Sequence, residues 1–437
     1  MKSPKNFIGN KIYTFAKDIF YINRSITGEG VRRTIKKIKK ILPKLKVYEI
    51  PSGKRILDWV VPLEWNIKSA HIKQQGKSVL DLKDNNLHIV GYSQKIDKVI
   101  TLDELKKKIH YLKKLPEAIP YVVSYYNKTW GFCMNFKMFK KLKKGKYKIS
   151  INSSFKKGSM TLADLRIKGK SNKEILLTTY TCHPSMGNNE TSGICLLSYL
   201  GEYLVNLNKK KKLNYSYRIV FHPETIGAIA YINKNLRDLK KNVIAGYVVT
   251  CVGDDKNYSY LKSKQENSLS NRAALNIFKY NYKKYDVYNF TDSGSDERRY
   301  NAPGVNLPLG SVMRSKYGEY KEYHTSLDNL KFISKKGFQN SFDLYEKIIT
   351  LLENNLYYKS KVIGEPNLGK RNLYPLISKW PDPVKYKEIK NLINFLSYAD
   401  GNHDLIEIAD ILKISGLKLL DIVEKLKKGN LISSKAV

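Results

Sequence analysis

Cysteine is scarce in this sequence. Cys133, Cys182, Cys195 and Cys251 are the four, and no two of them stand in C-x-x-C spacing. That excludes a zinc ribbon and a thioredoxin-like redox motif. There is no apolar run of about 18 residues, so no membrane-spanning helix is expected. The start, Met1 to Ile8, lacks the 7–15-residue apolar stretch of a signal peptide. A cytoplasmic protein is the expectation. Acidic residues are also few, 39 against 79 basic ones, for a formal charge of +40. The lysines are spread along the whole length among Ile, Asn and Tyr. This reads as a lysine-rich bias rather than the stripe of a nucleic-acid footprint. The run Lys209–Lys212 reads as a solvated loop.

What is present suits a globular chain. A hydrophobic fraction of 42% and an aromatic fraction of 11% argue against disorder. A length of 437 residues suggests two to three domains. Residues 8–42 read as two helices joined by Asn23-Arg-Ser-Ile-Thr-Gly-Glu-Gly30. That connection is a structural turn rather than a Walker A or dinucleotide fingerprint. Between 45 and 151 short β-type runs appear, among them Val47–Ile50, Leu87–Val90 and Tyr121–Ser124. From about 155 strands and helices alternate. Glu174–Tyr180, Tyr215–His222 and Val243–Val252 read as strands, and Gly193–Leu207 and Thr225–Asn235 as helices. The rhythm implies a mostly parallel sheet covered by helices on both faces. Residues 335–360 read as one long amphipathic helix. A Gly/Pro/Asn-rich linker follows at 364–369. Three short helices then suit a winged-helix or helix-turn-helix module. The expected domains are an α/β core (1–44 and 152–362), a β-rich inserted domain (45–151) and a winged-helix-like module (370–437).

In such sheets the active site lies beyond the carboxyl ends of the strands. His183, Glu224 and Asp254 all fall there. Later polar segments add Ser295-Asp296 and Tyr323-His324. Two histidines plus carboxylates from separate strand ends suit zinc, with an open position for water and a further carboxylate as base. Cys182 beside His183 could suggest a cysteine nucleophile, but adjacent residues at a strand end point apart.

The motifs resemble those of zinc aminopeptidases. Gly187-Asn-Asn-Glu-Thr-Ser-Gly193 after His183 resembles the "H-x-D … D-x-x-S-G" element. Pro223-Glu-Thr-Ile-Gly227 resembles the glutamate-rich turn, Ser295-Asp296 the "S-D-H" loop, and Tyr323-His-Thr-Ser-Leu-Asp328 the late histidine motif. A bacterial subgroup of aminopeptidase-like proteins, often encoded near surface-polysaccharide biosynthesis genes, is closer still. Asn23-Arg-Ser-Ile-Thr-Gly28, Asp58-Trp59, Pro62 to Asn66, Pro120 to Tyr126 and Thr250 to Asp255 resemble it, as does the C-terminal module. The resemblance implies His183 and His324 as zinc ligands, and Glu224 as ligand or general base. It also implies Asp296 in support or as a ligand, and Glu190 as a substitute ligand. Asn189 and Thr250 stand where the family's carboxylates fall. One zinc ion is therefore expected, with hydrolysis of an amide or peptide-like bond in a small substrate. The alternative is a catalytically altered binding or regulatory protein using the winged-helix-like module. In that module Leu419, Leu420, Ile422, Val423 and Leu426 form a core-facing set on 418–428, which suits packing or homo-oligomer formation rather than nucleic-acid binding.

Overall fold

The computed structural model describes residues 7–374 and 383–436. The first six residues, part of the stretch where a leader was sought, and 375–382 of the C-terminal module lie outside them. Strand Glu174–Tyr180 is buried at every position. It lies parallel between Ser216–His222 and Val243–Val248, and Leu309–Met313 extends the parallel set. Strands Lys46–Pro51 and Ser159–Ile167 close one side of the sheet, and Ser259–Leu261 and Asp286–Tyr288 the other. A continuous apolar run is what a strand covered on both faces requires. Ile175, Leu177, Ile219, Phe221, Ala245 and Tyr247 pack with helices Ile8–Phe20, Ser192–Lys210 and Lys335–Asn354. Leu176, Tyr180, Val220 and Val248 point the other way, against helix Ile226–Asn242. Each of these buried Val, Leu, Ile or Phe side chains contributes roughly 1.5–3 kcal/mol.

The chain leaves this sheet after Pro51 and returns to it at Ser159. Between them lies an antiparallel sheet of Lys77–Asp81, Glu64–Gln74, Lys146–Lys156 and Ile96–Thr101. The expected strand at Tyr121–Ser124 is not a sheet member. It belongs to an extended strap that makes isolated bridges, Gly91 with Val123 and Pro120 with Thr325. Its pairing partner is the loop that carries His324.

The long helix is shorter than its spacing predicts. It starts at Ser334, whose side chain accepts a bond from Gly337 N, and it ends at Asn354. Asn355 leaves the helix, accepting Ile406 N on its side chain and Tyr215 Oη on its carbonyl. Leu356–Ser360 is then a strand between Asp400–Asp404 and Ile432–Ala436. Helices Pro383–Ser397, Leu405–Ile411 and Gly416–Lys428 complete the module. It is seated on the α/β core. Arg272 donates two bonds to Asp404, at 3.0 and 2.6 Å, and Gly416 N donates to Asn276 Oδ1 at 2.9 Å. Leu419, Val423 and Leu426 share one apolar core with Leu351 and Leu352. No helix among the described residues is long and apolar enough to cross a membrane.

Candidate metal centre

The site forms where several strands end. Ser185, Thr225, Cys251 and His324 all hold left-handed backbone angles, with φ between 46° and 61°. Non-glycine residues accept this at about 1–3 kcal/mol each, and such strain clusters at working sites. After Tyr180 the chain runs through Cys182 and His183 into a π-helical turn, Gly187–Thr191. Asp328 fixes that turn by accepting the backbone N–H groups of Asn188 and Asn189.

His183 is buried, and its surroundings determine its orientation. Its Nδ1 lies 2.7 Å from Glu190 Oε2. The same oxygen accepts the N–H groups of Cys182 and His183. The other oxygen of Glu190 accepts Arg24 Nε at 2.8 Å, and both of these side chains are fully buried. Arg24 also donates to the carbonyls of Ile19 and His183 and to Thr191 Oγ1. With Nδ1 held, Nε2 of His183 faces Glu224 Oε2 at 3.6 Å. Ser295 Oγ donates to the other oxygen of Glu224.

The His324 ring centroid is 5.5 Å from that of His183. Tyr121 of the strap lies 5.1 Å from His183 and 5.4 Å from His324. The strap is held there by Tyr121 N donating to the His324 carbonyl at 2.9 Å. Asn189 Nδ2 lies 3.4 Å from His324 Nε2. Tyr180 Oη donates to Asn189 Oδ1 and meets Thr250 Oγ1 at 2.6 Å. Neutral groups thus fill both positions where the resemblance would put carboxylates.

The electrostatics favour a charged ring at His183 itself. Burial works against a charged ring there, yet Cys182, Tyr121 and Glu190 raise its pKa well above the ordinary imidazole value. His324 is pushed down to about 3 by burial and by the charge of His183. Burial and the neighbouring Glu224 raise the Asp296 carboxyl well above its usual range. Asp296 Oδ1 accepts Thr225 N at 2.8 Å, whereas its buried Oδ2 has no hydrogen-bond partner. Burial pushes the Cys182 thiol up to about 11. Its sulfur accepts Glu224 N, and an inert thiol of this kind is no nucleophile.

His183, Glu190, Glu224, Asp296 and His324 therefore gather in one region. Asp254 has a structural job: its carboxylate accepts Asn188 Nδ2 and the N–H and hydroxyl of Ser315. Cys182, His183 and Glu190 are the one group of three metal-type side chains whose donor atoms lie within 4.8 Å of one another among the described residues. Sequence reasoning assigned no role to Arg24. Its signal was a single arginine between the buried Ile22 and Ile26.

Residues 13–355 match the family described as a domain of unknown function, DUF4910, and residues 356–434 match the winged helix-turn-helix family. A protein of Clostridium acetobutylicum, named as a polysaccharide biosynthesis protein with an aminopeptidase-like domain, is 41% identical over 403 residues. That match covers 92% of this chain and 91% of the relative. A crystal structure from Clostridium acetobutylicum superposes with a TM-score of 0.91 at 38% identity, over 98% of this chain and 97% of its own. The zinc aminopeptidase of Bacillus subtilis gives a TM-score of 0.57 at 11% identity, over 78% and 94% of the two chains. A peptidase M28 precursor from Shewanella amazonensis gives 0.55 at 12%, over 82% and 98%. At such identities the likeness is one of fold. The chain belongs to the DUF4910 family, built on an aminopeptidase-like α/β fold with a winged helix-turn-helix at its C-terminal end.

Proposed function

We propose that the protein is a one-zinc hydrolase of an amide or peptide-like bond in a small substrate. The observation that carries this reading is the pair of imidazoles, His183 and His324, 5.5 Å apart with the Glu224 carboxylate beside His183 Nε2. Two imidazole nitrogens and a carboxylate are a donor set that zinc accepts while keeping a position open. His183 and His324 would hold the ion, with Asp296, whose Oδ2 accepts no hydrogen bond and lies 3.8 Å from His222 Nδ1, as the available carboxylate. Asn189 and Thr250 offer no charge to share between two dications, which supports one ion.

Bound there, zinc would lower the pKa of water and polarise a carbonyl. The rest falls to the chain itself. Glu224, steadied by Ser295, takes the water proton and returns it to the leaving amine. Glu190, expected from sequence as a ligand, is better used as the group that orients His183. Its oxygens already receive Arg24, two backbone N–H groups and Nδ1. A carboxylate so engaged fixes the tautomer that leaves Nε2 free. The tyrosine strap covers the imidazoles and limits water. Four buried free thiols suit a reducing compartment. The name of the Clostridium relative supports a place in polysaccharide biosynthesis.

The test is elemental analysis of protein purified without chelator. One zinc per chain, lost on His324→Ala, is expected. Metal-free protein whose activity survives His324→Ala would sink the reading.

A further inference from the structure

The inserted domain carries a concentration of charge that the chain-wide average hides. Residues 104–148 hold thirteen lysines and two carboxylates, Glu104 and Glu117. That is about a quarter of the molecule's excess positive charge in about a tenth of its length. These lysines are largely uncompensated. Lys137 pairs with Glu117, and among the described residues no other of the thirteen lies within ion-pair distance of a carboxylate.

The fold gathers part of this charge around an open groove of about 740 Å³. Lys106, Lys107 and Lys113 line it and are exposed, and Tyr111 forms part of its wall. The Tyr111 ring is held rigid by Phe139, with ring centroids 4.1 Å apart, and by Phe136 at 5.2 Å. His110, also in the lining, has its pKa lowered by burial and by Lys108, the sign expected in a positive field.

The groove adjoins the metal centre. Pro120 and Val122 line it, while Tyr121 between them packs on His183 and His324. Alternate side chains of an extended segment face opposite ways. One strap thus has the imidazoles on one side and the lysines on the other.

We propose that this groove is an anion site that takes a small molecule bearing a pyrophosphate group, held by Lys106, Lys107 and Lys113 beside the Tyr111 ring. Three flexible ammonium groups suit an anion with several oxygens and no fixed fork geometry. A pocket of this volume is the size of a small-molecule site. The surface is not a long stripe, so a small anion fits it better than a nucleic-acid strand. This inference is separate from the proposed hydrolysis, since it concerns binding alone.

The test is calorimetric titration of the full chain with inorganic pyrophosphate at 50 and 200 mM salt. Binding should weaken severalfold at the higher salt, because exposed charges are screened. Lys106→Glu/Lys107→Glu/Lys113→Glu, checked for folding by circular dichroism, should lose at least tenfold in affinity. His324→Ala should bind pyrophosphate as the parent does, which separates the groove from any metal in the site. Absent binding, or equal binding by the triple variant, would overturn the proposal. So would a 20-nucleotide single strand that binds more tightly and displaces pyrophosphate, which would assign the groove to nucleic acid.

Discussion

Arg24 and Glu190 meet in the interior with no exposed surface on either side chain. Removing one partner of such a pair leaves a bare buried charge and costs about 3–5 kcal/mol. Arg24→Met and Glu190→Gln should each lower the urea-derived stability by that order. Arg24→Met/Glu190→Leu should recover part of it. Yet the double variant should bind zinc about 10–100-fold more weakly, because nothing then orients His183. Equal zinc affinity in the double variant and the parent would refute the orienting role. Glu224→Gln is expected to keep its zinc and lose about 10²–10⁴ in rate on any substrate found.

His222 supplies a pH dependence. Burial lowers its pKa from 6.5 to about 4, and the ring lies within hydrogen-bond reach of Thr178 and Tyr300. The folded state therefore binds the proton less readily than the unfolded chain. The stability this gives is fully present above pH 6.5 and is lost as pH falls through 4. The magnitude is of order 3 kcal/mol. Urea midpoints of the parent and His222→Gln should converge over that window, and a constant gap between them would contradict the argument.

At the scale of elements, the C-terminal module is anchored by Asp404. This residue pairs with Arg272 and caps helix Leu405–Ile411, accepting Glu407 N at 2.9 Å. Asp404→Ala should cost about 2–3 kcal/mol, combining a lost cap with a lost charged bond. Calorimetry reads this directly, and a loss below about 0.5 kcal/mol would mean the contact is ornamental. Gly416, the first residue of the last long helix, lies against Leu351 and Asn276. A recognition helix reads DNA with its N-terminal residues; here the first of them, Gly416, faces the core, while Lys418 is exposed.

The elements also show what could be read in advance. Glu174–Tyr180 and Ser216–His222 were legible because strands covered on both faces need unbroken apolar runs. The helix from 335 was overrun because Leu356 and Tyr358 continue its apolar spacing past two asparagines. Only the tertiary partners of Asn355, Tyr215 and Ile406, end it there. The motifs bring His183, Glu224 and His324 together as candidates, and the fold places them side by side. The work of Glu190 was not legible, since it depends on an arginine 166 residues away in sequence. The strap reads as a strand because its composition is β-like, and local composition says nothing about its partner being the His324 loop.

For the molecule as a whole, the dominant number is the charge of +40. Self-repulsion of that size works against the compact state, and salt screens it. Raising NaCl from about 20 to 500 mM should therefore raise the melting temperature by several degrees. A fall would mean that the surface ion pairs outweigh the repulsion.

Helix Ile8–Phe20 packs against helix Lys335–Asn354, and Gly9 N donates to Gln339 Oε1, 330 residues further along the chain. The order of synthesis gives this closure a meaning. A chain growing on the ribosome exposes the apolar stripe of its first helix long before its partner is made. Arg24 and Glu190 are both made before His324 and before the helix that seals the core, Lys335–Asn354. A chain cut before His324 would hold His183 and Glu224 without their later neighbour, and an open flank. The core closes only once residues 335–354 are made, and a chain cut before them leaves the apolar face of Ile8–Phe20 uncovered.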